Sequence, residues 1–314
     1  MRVMSERVAA NGRTEYTAHR VDAPEGVGWT ALIGAAARAR ERERPDALFD
    51  DPWAPLFLDA AAHEESRRLP RLGPGAGPDS PPSEMWRLLH DFFVGRTPFI
   101  DAEVLAAQES GLDQFVLLGA GLDARAERLD LAASSVVFEV DSAELLAFKD
   151  AVLARHGIVN ARRVPVAADL GREWFSCLIA AGFAPQRPTC WVIEGLLIYL
   201  DDAAGKALLS QVREAGAVGS RVVLDHVSHV LCAGDFSLDD PQDQRVFAEG
   251  ESLMTSAVGM DPHAWSAVRG LHLTKLSDTA SELNAHGRSV PTKLNQANPS
   301  HLIGWLLAGV MATS

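Results

Sequence analysis

From residue 114 onward, short unbroken apolar runs alternate with stretches in which apolar positions recur at helical spacing. The runs at 115–118, 136–140, 164–167, 190–194 and 221–227 have the length and content of strands covered on both faces. The stretches at 142–156, 172–182 and 203–216 read as helices joining them. A strand near 271–275, a short helix near 278–286 and a terminal apolar run over 302–312, read as the last buried strand, follow. The alternation predicts an α/β fold, a mostly parallel seven-stranded sheet with helices on both faces. Residues 228–250 show no clear strand, and helical patterning resumes after them.

The first third reads differently. Residues 1–27 are polar and weakly patterned, whereas 29–44 place Trp29, Leu32, Ile33 and Ala36 on one helical face before Pro45 ends the run. Aromatics and prolines mix over 49–57, which reads as a short irregular turn, and the proline- and glycine-rich segment 69–82 reads as a loop and internal linker. Two helices are then expected: one over 84–94 with Trp86, Leu89 and Phe93 on a common face, and one from Thr97 as N-cap, with Pro98 in its first turn, to Gly111. Arg96 falls in the bend between them. The expected organisation is an N-terminal helical cap, residues 1–110, over the site, then a sheet domain, 111–314, with a lid insertion at 228–260. No internal repeat is present.

The chemistry concentrates in Gln114-Phe-Val-Leu-Leu-Gly-Ala-Gly-Leu-Asp-Ala-Arg125, a buried strand running into a glycine-rich turn and a helix. Gly119-Ala120-Gly121 lets the backbone turn tightly with nothing projecting above the strand end, where open α/β sheets bind ligands. The next strand ends at Asp141, about 20 residues past the turn, the spacing at which a carboxylate reaches a ribose diol. The same turn satisfies the dinucleotide pattern G-x-G-x-x-A, so a nicotinamide dehydrogenase is an alternative. Against it, the turn lies deep in the chain, Tyr199 has Ala203 where a catalytic lysine would stand, and Arg96 would have no anion to hold.

Composition narrows the partners. The formal net charge of −13 argues against nucleic acid and anionic membrane surfaces, both of which require basic patches. Cys177, Cys190 and Cys232 are isolated, without C-x-x-C spacing, so neither a disulfide framework nor a metal site is expected. The N-terminus lacks the apolar core of a signal peptide and no run of about 18 apolar residues occurs, which points to the cytoplasm.

Five motifs in order, Arg96-Thr-Pro-Phe-Ile-Asp101, Leu117-Leu-Gly-Ala-Gly-Leu-Asp-Ala-Arg125, Phe138-Glu-Val-Asp141, Ala168-Asp-Leu170 and Glu194-Gly-Leu-Leu-Ile-Tyr-Leu200, resemble the class I S-adenosylmethionine-dependent methyltransferases. Within them the chain resembles the leucine carboxyl methyltransferase-like group, which includes bacterial polyketide carboxyl O-methyltransferases. The resemblance implies a Rossmann-like fold, S-adenosyl-L-methionine as cofactor and a small-molecule acceptor in natural-product biosynthesis; the oligomeric state stays open. It implies that Arg96 forks onto the cofactor carboxylate and that Gly119, Ala120 and Gly121 pass beneath the methionine part. Asp141, with its neighbour Ser142, would hold the ribose, Asp169 and Leu170 would meet the adenine, and Glu194 would border the cofactor. Tyr199 would lie near the transferred methyl. A catalytically silent cofactor-binding protein of the same fold is the other alternative.

The acceptor oxygen is open at this level. A carboxylate, with a reference pKa near ~4, needs no base, whereas a phenol near ~10 needs one within hydrogen-bond reach. His226 and His229, just past the fifth strand, are the candidate bases. Trp29, Trp53, Phe57 and Trp86 are candidate lining for the acceptor cavity, although core packing is the better reading of each taken alone.

Overall fold

A computed structural model describes residues 27–65, 83–156, 162–232, 238, 240–291, 293–294 and 302–311. Its strands are β1 (Gln114–Leu118), β2 (Val136–Asp141), β3 (Arg162–Ala167), β4 (Thr189–Ile193), β5 (Arg221–Val227), β6 (Leu271–Asp278) and β7 (Gly304–Met311). They form one seven-stranded sheet in the order β3-β2-β1-β4-β5-β7-β6. The first five are parallel, and β7 inserts antiparallel between β5 and β6. Because β1 has β2 on one side and β4 on the other, the direction of winding reverses there. That opens a crevice at the carboxyl ends of these strands.

Alternate residues of the inner strands feed two apolar layers, as burial of both faces requires. Phe115, Leu117, Val137 and Val223 pack with Phe99 and Val104. Val116, Leu118, Trp191 and Leu224 pack with Trp174 and Leu209 on the other side. The helices α1 (Val27–Arg42), α2 (Ala54–Glu65) and α3 (Glu84–Glu109) build a third apolar cluster that includes Trp29, Phe57 and Leu88. Then come α4 (Arg125–Arg128), α5 (Ala143–Leu153), α6 (Trp174–Ala180), a 3-10 turn over Leu197–Tyr199 and α7 (Asp202–Ala215). After β5 lie α8 (Pro241–Leu253) and α9 (Pro262–Ala267), with α10 (Thr279–Ala285) between β6 and β7. Ser142 caps α5 and Asp201 caps α7, their side chains accepting from Leu145 and Ala204 N–H groups.

Three expectations need correction. The two helices expected over 84–111 are one helix, α3, with Pro98 inside it, so Arg96 sits in mid-helix and not in a bend. Interior proline costs about 3 kcal/mol, but α3 buries Met85, Trp86, Leu88, Val94, Phe99, Ile100 and Val104, each contributing about 2 kcal/mol. The irregular turn over 49–57 gives way to α2, whose start Asp51 fixes by accepting from the N–H groups of Trp53 and Ala54. Pro55 falls in its first turn, where no intrahelical N–H is missed. Thirdly, α8 begins within 228–250, earlier than the point after residue 250 at which helical patterning was expected to resume. The 69–82 loop lies outside the described residues.

Candidate active site

A cavity of about 800 Å³ opens over the carboxyl ends of β1 to β5, roofed by α1 and α3. Its floor begins at the turn after β1. Gly119 and Gly121 have φ of +66° and +52°, a region only glycine enters without strain. Gly119 and Ala120 donate to the Val140 carbonyl, and Gly121 N–H donates to Asp141 Oδ2 at 2.8 Å. Asp141 Oδ1 takes the Ser142 N–H at 2.7 Å. Burial pushes the Asp141 carboxyl above its usual pKa while those two backbone bonds pull it down. No cation forms an ion pair with it among the described residues. A half-buried anion so placed is suited to hydroxyl donors.

Asp169 and Leu170, at the end of β3, also line the cavity. Asp169 is exposed, its Oδ1 accepting from Gly171 N–H at 2.9 Å and its Oδ2 lying 3.2 Å from Arg172. Leu170 is partly buried against the sheet.

Beneath the cavity three arginines meet four carboxylates. Arg96 donates from Nε to Glu194 Oε1 at 2.8 Å and from Nη1 to Asp225 Oδ2 at 2.9 Å. Its guanidinium carbon stands 4.4 Å from the Phe93 ring centre. Arg125 donates to Asp101 at 2.6 Å and also to Asp123 and Glu194. Arg128 holds both oxygens of Asp101 at 2.6 Å. Burial would raise the Glu194 pKa, but Arg125 and Arg96 overcome it and bring it to about 2. At Asp225 burial wins over Arg96 and the pKa rises. Gly195, at φ +62°, lets the guanidinium in close: a Cβ there would stand 3.0 Å from Arg96 Nη2.

The far half is apolar. Ile33, Leu88, Leu89, Phe92, Met254 and Leu302 line it, with Tyr199 and His226 as polar groups. The Tyr199 pKa is raised by burial, against a hydrogen bond from the Thr30 side chain. His226 is 4% exposed, its ring edge-on to Trp265 with centroids 5.5 Å apart, and its Nδ1 is buried with no hydrogen-bond partner. Burial, aided by Arg269, lowers its pKa to about 4. His229 is not brought to the cavity; its Nδ1 lies 3.0 Å from Ser228 Oγ. Nor do Trp29, Trp53, Phe57 and Trp86 line it. They pack in the helical cluster, where Trp86 also donates to Asp243 at 2.9 Å.

Sequence reading missed Arg38, Arg125 and Asp225 as site residues. Arg38 lines the cavity and ties Asp51 to the Leu122 carbonyl, both at 2.7 Å. Asp225 stood out in one respect: it is a charge inside an apolar strand, which requires a buried partner.

The chain matches the family described as leucine carboxyl methyltransferase over residues 31–213. It is 38% identical over 278 residues to a Frankia alni protein carrying the name S-adenosyl-L-methionine-dependent methyltransferase, covering 88% of this chain and 94% of the relative. A Rhodococcus jostii protein of the same name is 38% identical over 280 residues, 86% of this chain and 90% of the relative. Among solved structures, a DUF574 family protein from Streptomyces avermitilis superposes with a TM-score of 0.54 at 15% identity, over 93% of this chain and 100% of that one. That likeness is one of fold.

Proposed function

From the premise that the chain belongs to the leucine carboxyl methyltransferase family, a group of S-adenosylmethionine-dependent methyltransferases, we propose that it is an O-methyltransferase acting on a small organic molecule. The observation that carries this reading is a single cavity with a polar, carboxylate-bearing half at the glycine turn and an apolar half under α1 and α3. The cofactor is S-adenosyl-L-methionine, and the residues present fit it. Asp141, an anion with no ion-pair partner among the described residues, suits a ribose diol. Arg96 keeps Nη2 free of protein hydrogen bonds among the described residues, which suits the methionine carboxylate. The four carboxylates facing three arginines leave net negative charge beneath the cavity, the complement of a cationic sulfonium.

When bound, the cofactor supplies a methyl group on a positively charged sulfur that departs as a neutral thioether. The chain's own part is to position and to dry the site. Ala120 and Ser142 complete the turn and strand end, and Glu194, held ionised by two arginines, keeps Arg96 in place. Asp169 and Leu170 border the position of the adenine in this reading. Tyr199, hydrogen-bonded to the Thr30 side chain of α1, is a polar group of the apolar half. Within 1–110, α1 and α3 act as the cap, and within 228–260, α8 and the residue after it supply a side wall, of which Gly250 and Met254 reach the cavity.

The test is methyl transfer from isotopically labelled cofactor to small-molecule acids and phenols, beside calorimetric binding of the cofactor. Incorporation into an oxygen of an acceptor supports the reading. Binding of a nicotinamide nucleotide in place of the sulfonium cofactor would overturn it.

A further inference from the structure

The glycine pair permits the turn after β1 and does not hold it. Gly119 and Gly121 take positive φ at no steric cost, yet glycine takes negative φ about as readily, so the open form of the turn must be imposed from outside. On the strand side the Val140 carbonyl accepts from Gly119 and Ala120, and Asp141 accepts from Gly121. The next two residues, Leu122 and Asp123, leave the turn, and the carbonyl of each ends on a cation from a helix.

Arg38 of α1 donates from Nη2 to the Leu122 carbonyl at 2.7 Å. Lys149 of α5 donates from Nζ to the Asp123 carbonyl. Two consecutive backbone carbonyls are thus held by charged donors from two different helices, and a charged donor bonds more strongly than a neutral one. Leu122 and Asp123 both border the cavity. Lys149 does not: its side chain is wholly buried, so it can act on a ligand only through the turn. Ion pairing alone does not account for its placement. The carboxylate it meets at 2.8 Å, Glu139, already has Arg163 Nε at 2.6 Å on its other oxygen. Arg38 spends Nε on Asp51 at 2.7 Å, and Asp51 fixes the start of α2, so the same guanidinium ties the helical cap to the turn.

Resting on the methyl-transfer reading, in which this turn passes beneath the methionine part of the cofactor, we propose that Arg38 and Lys149 are positioning residues that hold the turn in its open form before the cofactor arrives. Both act through the backbone, and neither takes part in bond making. With either cation removed, the turn has to be ordered at the moment of binding, and affinity falls. Because the two act on adjoining peptide groups, the second release costs less than the first.

The experiment titrates the full chain calorimetrically with S-adenosylmethionine and with its demethylated product, beside urea unfolding and amide hydrogen exchange of segment 119–124 in the free protein. Arg38→Met and Lys149→Met should each raise Kd about tenfold and speed exchange of that segment by a similar factor, and the double variant should reach about thirtyfold, short of the product of the two. Arg38→Lys, which keeps a donor for Leu122, should stay within about threefold of the wild type. Asp51→Asn and Glu139→Gln remove the partner charges and leave both carbonyl bonds, so they should lower the urea midpoint while Kd changes by less than about threefold. Unchanged Kd in Arg38→Met overturns the proposal. So does a loss of affinity that Asp51→Asn and Glu139→Gln reproduce, since the two cations would then be structural only. Should Lys149→Met not fold, the Arg38 variants and the exchange of 119–124 decide by themselves. Wild-type binding of neither ligand fails the methyl-transfer reading itself, whereas wild-type binding with no loss in the variants fails this proposal alone.

Discussion

Arg96 on α3 and Asp225 on β5 are joined by a hydrogen bond of 2.9 Å, and the other oxygen of Asp225 takes the Gly195 N–H at 2.6 Å. One carboxylate thus fastens the helical cap, the fifth strand and the loop after the fourth. Removing it leaves a buried guanidinium with Glu194 as its remaining partner, so Asp225→Ala should lower unfolding free energy by about 3 kcal/mol. Urea unfolding measures this directly, and a change within error of zero would make the pair incidental.

Arg96→Lys keeps the charge and loses the geometry. An ammonium cannot serve Glu194, Asp225 and a cofactor carboxylate at once, so cofactor Kd should rise at least about tenfold and stability should fall by about 1–2 kcal/mol. Calorimetry and denaturation separate the two effects. Unchanged affinity would remove Arg96 from the cofactor site.

Gly195→Ala introduces a side chain at φ +62° and a Cβ 3.0 Å from Arg96 Nη2. The backbone cost alone is about 1–2 kcal/mol. The guanidinium must also retreat, so cofactor affinity and melting temperature should fall together, which differential scanning with and without cofactor will report.

The two aspartates at the strand ends should behave differently. Asp141→Ala should weaken cofactor binding by about 2 kcal/mol, roughly thirtyfold, through a lost charge-assisted contact. Asp169→Ala should cost less than about 0.5 kcal/mol, because that side chain is exposed and bonds its own turn. A reversal of this order, measured by titration, would reassign the ribose and adenine ends.

Glu127 supplies a pH signature. Burial, only partly offset by Lys149, raises its pKa from 4.5 to about 7. Between those values the folded chain holds a proton the unfolded chain has released, so this group's contribution to stability falls as pH rises through the window. Glu127→Gln imitates the neutral acid. It should stabilise by about 2–3 kcal/mol at about pH 8 and by almost nothing at about pH 4.5. Denaturation curves that shift equally at both pH values would contradict this.

The parallel strands were legible because each is a short apolar run, and β1 and β2 announced themselves through the glycine turn and Asp141. The single helix α3 was not, since Gly95 and Pro98 look like a break when only local propensity is considered; the burial that outweighs them comes from partners distant in sequence. Distance also hid the ion cluster, in which Arg125 meets Glu194 across 69 residues and Arg96 meets Asp225 across 129. Core packing, the better reading for Trp29, Trp53, Phe57 and Trp86 taken singly, is what the structure shows, whereas Phe93, on the same helical stripe as Trp86, reaches the cavity. His226 and His229 read alike as candidate bases, although in the structure only His226 reaches the cavity.

Leu88 and Arg96 line the same cavity and stand on the same uninterrupted helix. At about 1.5 Å per residue, α3 holds them about 12 Å apart along its axis. A rod that carries both positions acts as a gauge: neither can move alone, and tilting the rod pulls Arg96 away from Glu194 and Asp225. The distance between these two points of the cavity wall is therefore set by the rise of a helix and not by any one side chain.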